Sequence, residues 1–454
     1  MGTSPDKKNR NHARIAVIGG GWAGCAAAVR LAQEGRRVSL FEAGRILGGR
    51  ARRVELDGRA LDNGQHILLG AYRATLNMMK TVGIDTDEAM LRLPLQMRYP
   101  AATDGMDFLA PRLPAPLHML IALFRAKGLT RADKLALARF STTARWMGWQ
   151  LHEDCSVAEL LDRFDQTERL NRLMWTPLCI AALNTPPQRA SAKVFLNVLR
   201  DSLGASRAAS DMLLPRLDLS ALFPTRAAAF IEQHGGSVEC GNSVAALGTE
   251  APENRDDNGR RWQLQFKQDR QAEAFDGVIV ATPPEIAADL LQDIVDVAPL
   301  RGFDYEPITT CYLQYPLGLQ LDQPLYALTD DPQQAAWGQF VFDRGQLNAG
   351  DAGLLAVVVS AAGDAIAQGH AALAQGIATQ LATQLQNPLL QTPLWSKLIS
   401  EKRATFSCTP GLLRPDNDGM PAGIALAGDY VAGDYPATLE AAVHSGIKAA
   451  ERLL

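Results

Sequence analysis

Gly19, Gly21 and Gly24 stand in a G-x-G-x-x-G spacing directly after a short apolar run, residues 14–18, and ahead of an alanine-rich stretch. Glycines in this pattern suit one kind of chemistry. The first permits a tight turn, the second lets a pyrophosphate approach the backbone, and the third lets a helix pack closely on a strand. The phosphate then rests on the positive end of that helix. Glu42 closes the next apolar run, placed to accept a hydrogen bond from a ribose hydroxyl. A glycine turn alone is a common structural device. Here the strand, the helix and the acid accompany it, and together they point to a bound dinucleotide.

The elements that must hold these residues are legible around them. Residues 14–18 read as a buried parallel strand, 22–34 as a helix stopped by Gly35, and 37–41 as a second strand, a compact βαβ unit. Residues 112–210, rich in Leu, Ala, Arg and Met, predict a mostly helical insertion. Residues 225–234 predict a helix, followed by a turn and a strand, 237–240. Residues 258–281 predict a hairpin feeding a buried strand, 277–281. Residues 307–315 and 353–360 predict strands of a second sheet. The uncharged stretch 365–396 predicts a surface-packed helix and loop. A short buried strand, 424–427, precedes Gly428-Asp429, and the last helix covers about 438–453. The alternation of α/β and mixed segments predicts an α/β fold. It has a discontinuous Rossmann-type dinucleotide domain (14–95, 211–300 and 415–454), an inserted mixed β-sheet substrate domain (96–210 and 301–414) and a mostly helical cap (112–210).

Composition narrows the class. The chain has 454 residues, 47% hydrophobic and 21% charged, the profile of a globular protein with two or three core-bearing units. A net charge of −4 argues against nucleic acid as a partner. Cys25, Cys155, Cys179, Cys240, Cys311 and Cys408 form no CxxC pair, and the histidines form no HExxH. We expect reduced thiols, no metal and a cytoplasmic protein. Residues 1–13 are polar and basic without an apolar core, so a disordered tail is expected there rather than a signal peptide. No run of about 18 apolar residues predicts a membrane-spanning helix.

Gly48-Gly49-Arg50 lies just downstream of the fingerprint. Its glycines allow close backbone approach, and Arg50 suits either a phosphate or a surface ion pair. The segment resembles the GGR segment of the flavin amine oxidase superfamily, which includes monoamine oxidases, protoporphyrinogen oxidase and the carotenoid desaturases. That resemblance implies FAD, with Gly48, Gly49 and Arg50 completing its pyrophosphate site. It also implies roles at the other end of the chain. Gly428 and Asp429 would contact the ribityl and phosphate region, and Thr438, opening the last helix, would face the flavin ring. Val244 matches the strand valine packed near adenine, although a valine in a strand is usually only core. There is no second G-x-G-x-x-G, so a second, tightly bound NAD(P) is not expected.

The segment Asp62-Asn63-Gly64-Gln65-His66-Ile67-Leu68-Leu69-Gly70-Ala71-Tyr72, with Pro177–Asn184 and Gly428-Asp429-Tyr430, is similar to bacterial hydroxysqualene dehydroxylases over nearly the whole chain. The resemblance implies an FAD-dependent oxidoreductase that reductively removes the hydroxyl of hydroxysqualene to give squalene, a hopanoid and sterol precursor. Its partner would be a long-chain isoprenoid. The electron donor is not specified. Ionisation of an allylic C–O bond needs a proton donor and protection from water. His66, titrating near neutrality, is the first candidate for acid or for polarising the hydroxyl, and Asp62 the second. The plainer readings are a core histidine and an Asx-turn aspartate. Two other readings fit the same fold: a carotenoid or phytoene desaturase-like enzyme or another flavoenzyme of the amine oxidase superfamily, and non-catalytic prenyl binding as in the GDP-dissociation inhibitors. Finally, Leu113, Leu117, Leu120, Ile121, Leu123 and Phe124 lie among Arg112, Arg125, Lys127, Arg131, Lys134 and Arg139, with Asp133 the one acid among them. Such a stretch suits an anionic membrane surface, peripherally on the inner membrane, or an ordinary helical pair with solvated charges.

Overall fold

Ile15, Ala16, Val17 and Ile18 offer no polar side chain to either face, which suits a strand covered on both sides. In the computed structural model, which describes residues 13–249, 261–267 and 270–454, this run is the middle strand of a parallel sheet. The two main sheets use β1 (Arg14–Ile18), β2 (Arg37–Glu42), β3 (Ser237–Cys240), β4 (Gly277–Val280), β5 (Tyr305–Gln314), β6 (Leu325–Ala327), β7 (Phe340–Asp343), β8 (Leu354–Val359), β9 (Trp395–Phe406) and β10 (Ile424–Leu426). The first sheet is parallel in the order β3-β2-β1-β4-β10, and the second antiparallel in the order β6-β7-β8-β5-β9. The parallel strands come from the three separate segments expected to form the dinucleotide domain. All the strands of the second sheet lie between residues 301 and 414. The fold is therefore α/β, with a Rossmann-like sheet and a separate antiparallel sheet.

The segment expected to be helical is so, with helices at Leu117–Arg125, Arg131–Trp146, Val157–Arg163, Thr176–Leu183 and Ala192–Leu199. Phe140 and Trp175 pack at 4.7 Å between ring centroids in its core. The helix Thr176–Leu183 ends at Asn184, which adopts the left-handed conformation. Its side-chain amide donates to the Glu306 carbonyl (3.2 Å) and to Thr405 Oγ1 (2.9 Å), and its Oδ1 accepts from the Ala361 amide (2.8 Å). Asn184 thus ties the helical segment to the bulge where β5 and β9 shift register.

One expectation needs revising. The stretch 365–396 is not merely surface-packed: the helix His370–Gln384 buries Leu373, Ile377 and Leu381 against the second sheet, and β9 begins at Trp395. The expected hairpin at 258–281 begins outside the described residues. Its described part, Trp262–Phe266 and Glu273–Phe275, forms a three-stranded antiparallel sheet with Val244–Thr249. The expected tail at 1–13 also lies outside the described residues, apart from Ala13. All six cysteines are free thiols.

The last helix, Leu439–Arg452, returns to the first, Trp22–Gln33, and packs directly on it: a Cβ on Gly446 would run into the Ala23 carbonyl. Its position is set by Glu440, whose buried carboxylate accepts from the Ala74 amide (2.9 Å), the Thr75 amide (2.9 Å) and the Thr75 hydroxyl (2.7 Å). Removing a buried acceptor leaves its donors unsatisfied, a cost of about 3 kcal/mol for a charged group. Glu440→Ala is therefore expected to lower the urea midpoint clearly. An unchanged midpoint would show that the anchor contributes nothing.

Candidate active site

Gly19, at φ 107°, makes the turn after β1, and its amide donates to the Phe41 carbonyl at 2.7 Å. A Cβ on Gly24 would collide with the Gly19 carbonyl, so only glycine allows the first helix to come this close. Gly21 is the N-cap of that helix and supplies no side-chain cap, leaving the first amides for another acceptor. A Cβ on Gly21 would meet only the Gly49 Cα, at 4.0 Å. The Gly48-Gly49 segment lies across this turn, its Gly48 amide bonded to the Gly20 carbonyl at 2.8 Å. These segments make a backbone-lined cradle of the kind a pyrophosphate needs.

Glu42 ends β2 beside the cradle. Its Oε2 accepts from the Gly20 amide and its Oε1 from the Gly44 amide, both at 2.6 Å. Each oxygen retains acceptor capacity for a hydroxyl. The Asn242 amide bonds to the Glu42 carbonyl (3.0 Å), which brings the turn before Val244 to the same edge. Val244 is buried and opens the three-stranded sheet.

Arg50 and Asp429 meet directly: Arg50 Nη2 donates to Asp429 Oδ1 at 2.6 Å, and Nη1 donates to the Ala404 carbonyl at 2.9 Å. Of the two uses open to Arg50, the ion pair is the one observed, with a buried partner rather than a surface one. Arg414 then shapes the loop after β10, donating to the carbonyls of Asp429 (2.8 Å), Tyr430 (3.2 Å), Gly433 (3.0 Å) and Tyr435 (2.8 Å) as well as Val431. The Gly428 amide is held by Ser445 Oγ (2.8 Å) on the last helix. Thr438 caps that helix, its hydroxyl accepting from the Ala441 amide at 3.2 Å. Beside the Arg50–Asp429 pair, the Tyr430 hydroxyl is buried without a hydrogen-bond partner among the described residues. Burial also holds the Tyr430 phenol well above its ordinary pKa, so it stays a donor. Orphaned buried polar atoms beside a backbone cradle are what an extended, multiply hydrogen-bonding cofactor would satisfy.

The Asp62–His66 segment crosses from this region to the second sheet. Tyr312 on β5 donates to the Asp62 carbonyl (2.7 Å) and accepts from Gln65 Nε2 (2.8 Å). Gln65 Oε1 accepts from Arg344 (3.2 Å), itself paired with Asp351 (3.1 Å). The buried Asp62 carboxylate accepts from the Leu219 amide (2.8 Å). Burial pushes its pKa up to about 6, against the opposing pull of that amide and of Arg344. His66 donates from Nδ1–H to the Gly64 carbonyl at 3.0 Å, which leaves Nε2 as an acceptor in the neutral ring. Burial lowers its pKa, only partly opposed by that carbonyl. Burial thus moves His66 away from the charged form that an acid would need.

Sequence reasoning missed Arg414, Tyr312, Arg344 and Glu440. A guanidinium that binds backbone carbonyls follows no motif spacing, and Tyr312, Arg344 and Glu440 reach the Asp62–Gln65 and Ala74–Thr75 segments across more than two hundred residues of chain.

The region from residue 22 to 454 matches the family described as flavin containing amine oxidoreductase. The chain is 28% identical to hydroxysqualene dehydroxylase of Rhodopseudomonas palustris, over 97% of this chain and 98% of that protein. It is 24% identical to zeta-carotene desaturase of Synechocystis, over 97% of each. An oxidoreductase of known structure from Methanosarcina mazei superposes with a TM-score of 0.71 at 15% identity, over 96% of this chain and 100% of that one. With the family comes its cofactor, FAD, and the cradle and polar groups described above fit it. The chain belongs to the flavin-containing amine oxidoreductase family.

Proposed function

We propose that this protein reductively removes the hydroxyl of hydroxysqualene to give squalene. The observation that carries the reading is that Tyr312 ties the Asp62–His66 segment to the second sheet on the largely apolar face that also carries Ile308, Phe340, Val358 and Ile399. That floor suits a long hydrocarbon with one alcohol group. The matches to hydroxysqualene dehydroxylases support it further.

In this reading FAD is held by Gly19, Gly21, Gly24, Glu42, Gly48, Gly49, Arg50, Val244, Gly428, Asp429 and Thr438. When bound and reduced, it supplies the hydride that replaces the hydroxyl. The chain's own groups must deliver a proton to the departing oxygen, because hydroxide is a poor leaving group. Neutral His66 Nε2 orients the alcohol by accepting its hydrogen. Asp62, which keeps its proton up to a pH of about 6, is the better candidate acid. The apolar floor excludes water from the cation left behind.

The helices at Leu117–Arg125 and Arg131–Trp146 support a membrane-surface location. Leu117, Leu120 and Phe124 repeat at i, i+3 and i+7 on one face and are 50%, 56% and 82% exposed; Leu135 and Trp146 on the next helix are 65% and 87% exposed. Exposed Arg112, Arg125, Lys127, Arg131 and Arg139 surround them. The acid of this stretch, Asp133, is buried and engaged by Thr130 and by Thr167 (2.6 Å), so its carboxylate is not part of the exposed surface. No helix among the described residues is long and apolar enough to cross a membrane. The surface therefore suits peripheral contact with anionic lipid, from which an isoprenoid would enter.

Five outcomes are expected. In an anaerobic single turnover, chemically reduced protein mixed with hydroxysqualene should reoxidise its flavin band near ~450 nm with one squalene formed per flavin. A flavin that stays reduced, with substrate intact, would move the reading to a desaturase, and a colourless protein would revive prenyl binding. Asp429→Ala should weaken FAD binding by about tenfold or more, read by flavin retained on dialysis, since it strips Arg50 of its charge partner. Asp62→Asn should lower the single-turnover rate by about 10²–10⁴ if Asp62 is the acid. The same variant tests its protonation. A carboxyl that holds its proton more tightly folded than unfolded loses stability as pH rises from about 4 to about 6, so the variant should melt higher than the parent at pH 8 and converge with it near pH 4. Finally, replacing Arg125, Lys127 and Arg131 by Gln should leave flavin content unchanged but lower sedimentation with phosphatidylglycerol vesicles; unchanged sedimentation would rule out the membrane surface.

A further inference from the structure

We infer that Thr310, Gly64 and His66 form a notch that binds the alcohol group of an otherwise apolar chain. Thr310 lies on β5 between Val358 of β8 and Ile399 of β9. Strand alternation puts it on the face of Ile308 and Tyr312, which pack into the apolar cluster under the Asp62–His66 segment. It is fully buried, and its hydroxyl has no hydrogen-bond partner among the described residues. The neighbouring Thr309, on the opposite face, shows the ordinary outcome: its hydroxyl is paired with Ser400 Oγ at 2.8 Å. An unpaired buried hydroxyl costs stability, and an apolar residue of the same shape would avoid that cost.

What the Thr310 hydroxyl faces gives the second observation. The position a Cβ would take on Gly64 is 4.0 Å from Thr310 Oγ1 and 3.8 Å from His66 Cε1. Both are ordinary contact distances, and Gly64 does not have the left-handed backbone that favours glycine. Neither strain nor crowding therefore calls for glycine here. A methyl-sized group at that position would touch both the Thr310 hydroxyl and the edge of the His66 ring. Thr310 has a donor to offer, and neutral His66 has an acceptor at Nε2. An alcohol needs both, donating its own hydrogen and accepting another. A cation, a carboxylate or a phosphate finds no opposite charge in this set. Thr310 is thus a substrate-contacting residue that discriminates an alcohol from the corresponding hydrocarbon. The inference rests on the dehydroxylase reading and deepens it.

The test compares binding of hydroxysqualene and squalene to the oxidised, FAD-loaded protein, followed by perturbation of the flavin spectrum, in the parent, Thr310→Val and Thr310→Ser. The parent should favour the alcohol by about tenfold, the worth of one well-made hydrogen bond to a buried group. Thr310→Val should bring the two affinities close together while leaving squalene binding and flavin content unchanged, and Thr310→Ser should restore the preference. Melting separates a functional hydroxyl from a structural one: Thr310→Val should melt no lower than the parent. A preference that survives in Thr310→Val overturns the notch, as does a lower melting temperature, which would mean that the hydroxyl bonds to buried water as part of the fold. A parent that converts hydroxysqualene while Thr310→Val behaves identically overturns the notch alone. A parent that neither binds nor converts hydroxysqualene overturns the dehydroxylase reading and the notch with it.

Discussion

Burying Asp429 is the constraint around which the site is built. A carboxylate with 7% of its surface exposed is costly unless a cation and further hydrogen bonds compensate it. The cation is Arg50, 379 residues away in sequence, so the pair closes only when the loop after β10 returns to the Gly48-Gly49 turn. That return needs the last helix flat against the first, which Gly446 permits and Glu440 anchors. It also needs the 429–435 loop in one shape, which Arg414 sets through five carbonyls. The phosphate cradle, the pair and the last helix are thus one assembly built from both ends of the chain.

The second sheet meets this assembly through a segment of different character. Between Asp62 and His66 the partners are a phenol, an amide, a guanidinium and backbone groups, and they orient the segment against the sheet. Burial then does the chemical tuning. It pushes Asp62 toward holding a proton and His66 toward losing one. In both groups of this short motif the surroundings favour the uncharged form.

What could be read in advance follows from how local each signal is. β1, the glycine turn, the first helix and β2 were legible because their periodicity and spacing lie within about thirty residues. β4 and β10 were legible as short apolar runs. β6 and β7 were missed because they are only a few residues long, and β9 because Lys397, Glu401, Lys402 and Arg403 interrupt any apolar pattern. In the site, glycines and acids at fixed offsets could be named, but protonation could not. His66 was chosen for a solution pKa, and the fold changes that pKa by burying it. Thr310 gave no signal, since a threonine in a strand is unremarkable until its hydroxyl is found without a partner.

The most direct measurement follows the hydrogen that takes the place of the hydroxyl. Reduced, FAD-loaded protein would be equilibrated in D₂O without oxygen and given hydroxysqualene, with the extracted lipid analysed by mass spectrometry. Reductive removal predicts squalene carrying one deuterium at the carbon that lost oxygen. Squalene without deuterium, a more unsaturated product, or unchanged hydroxysqualene would contradict it.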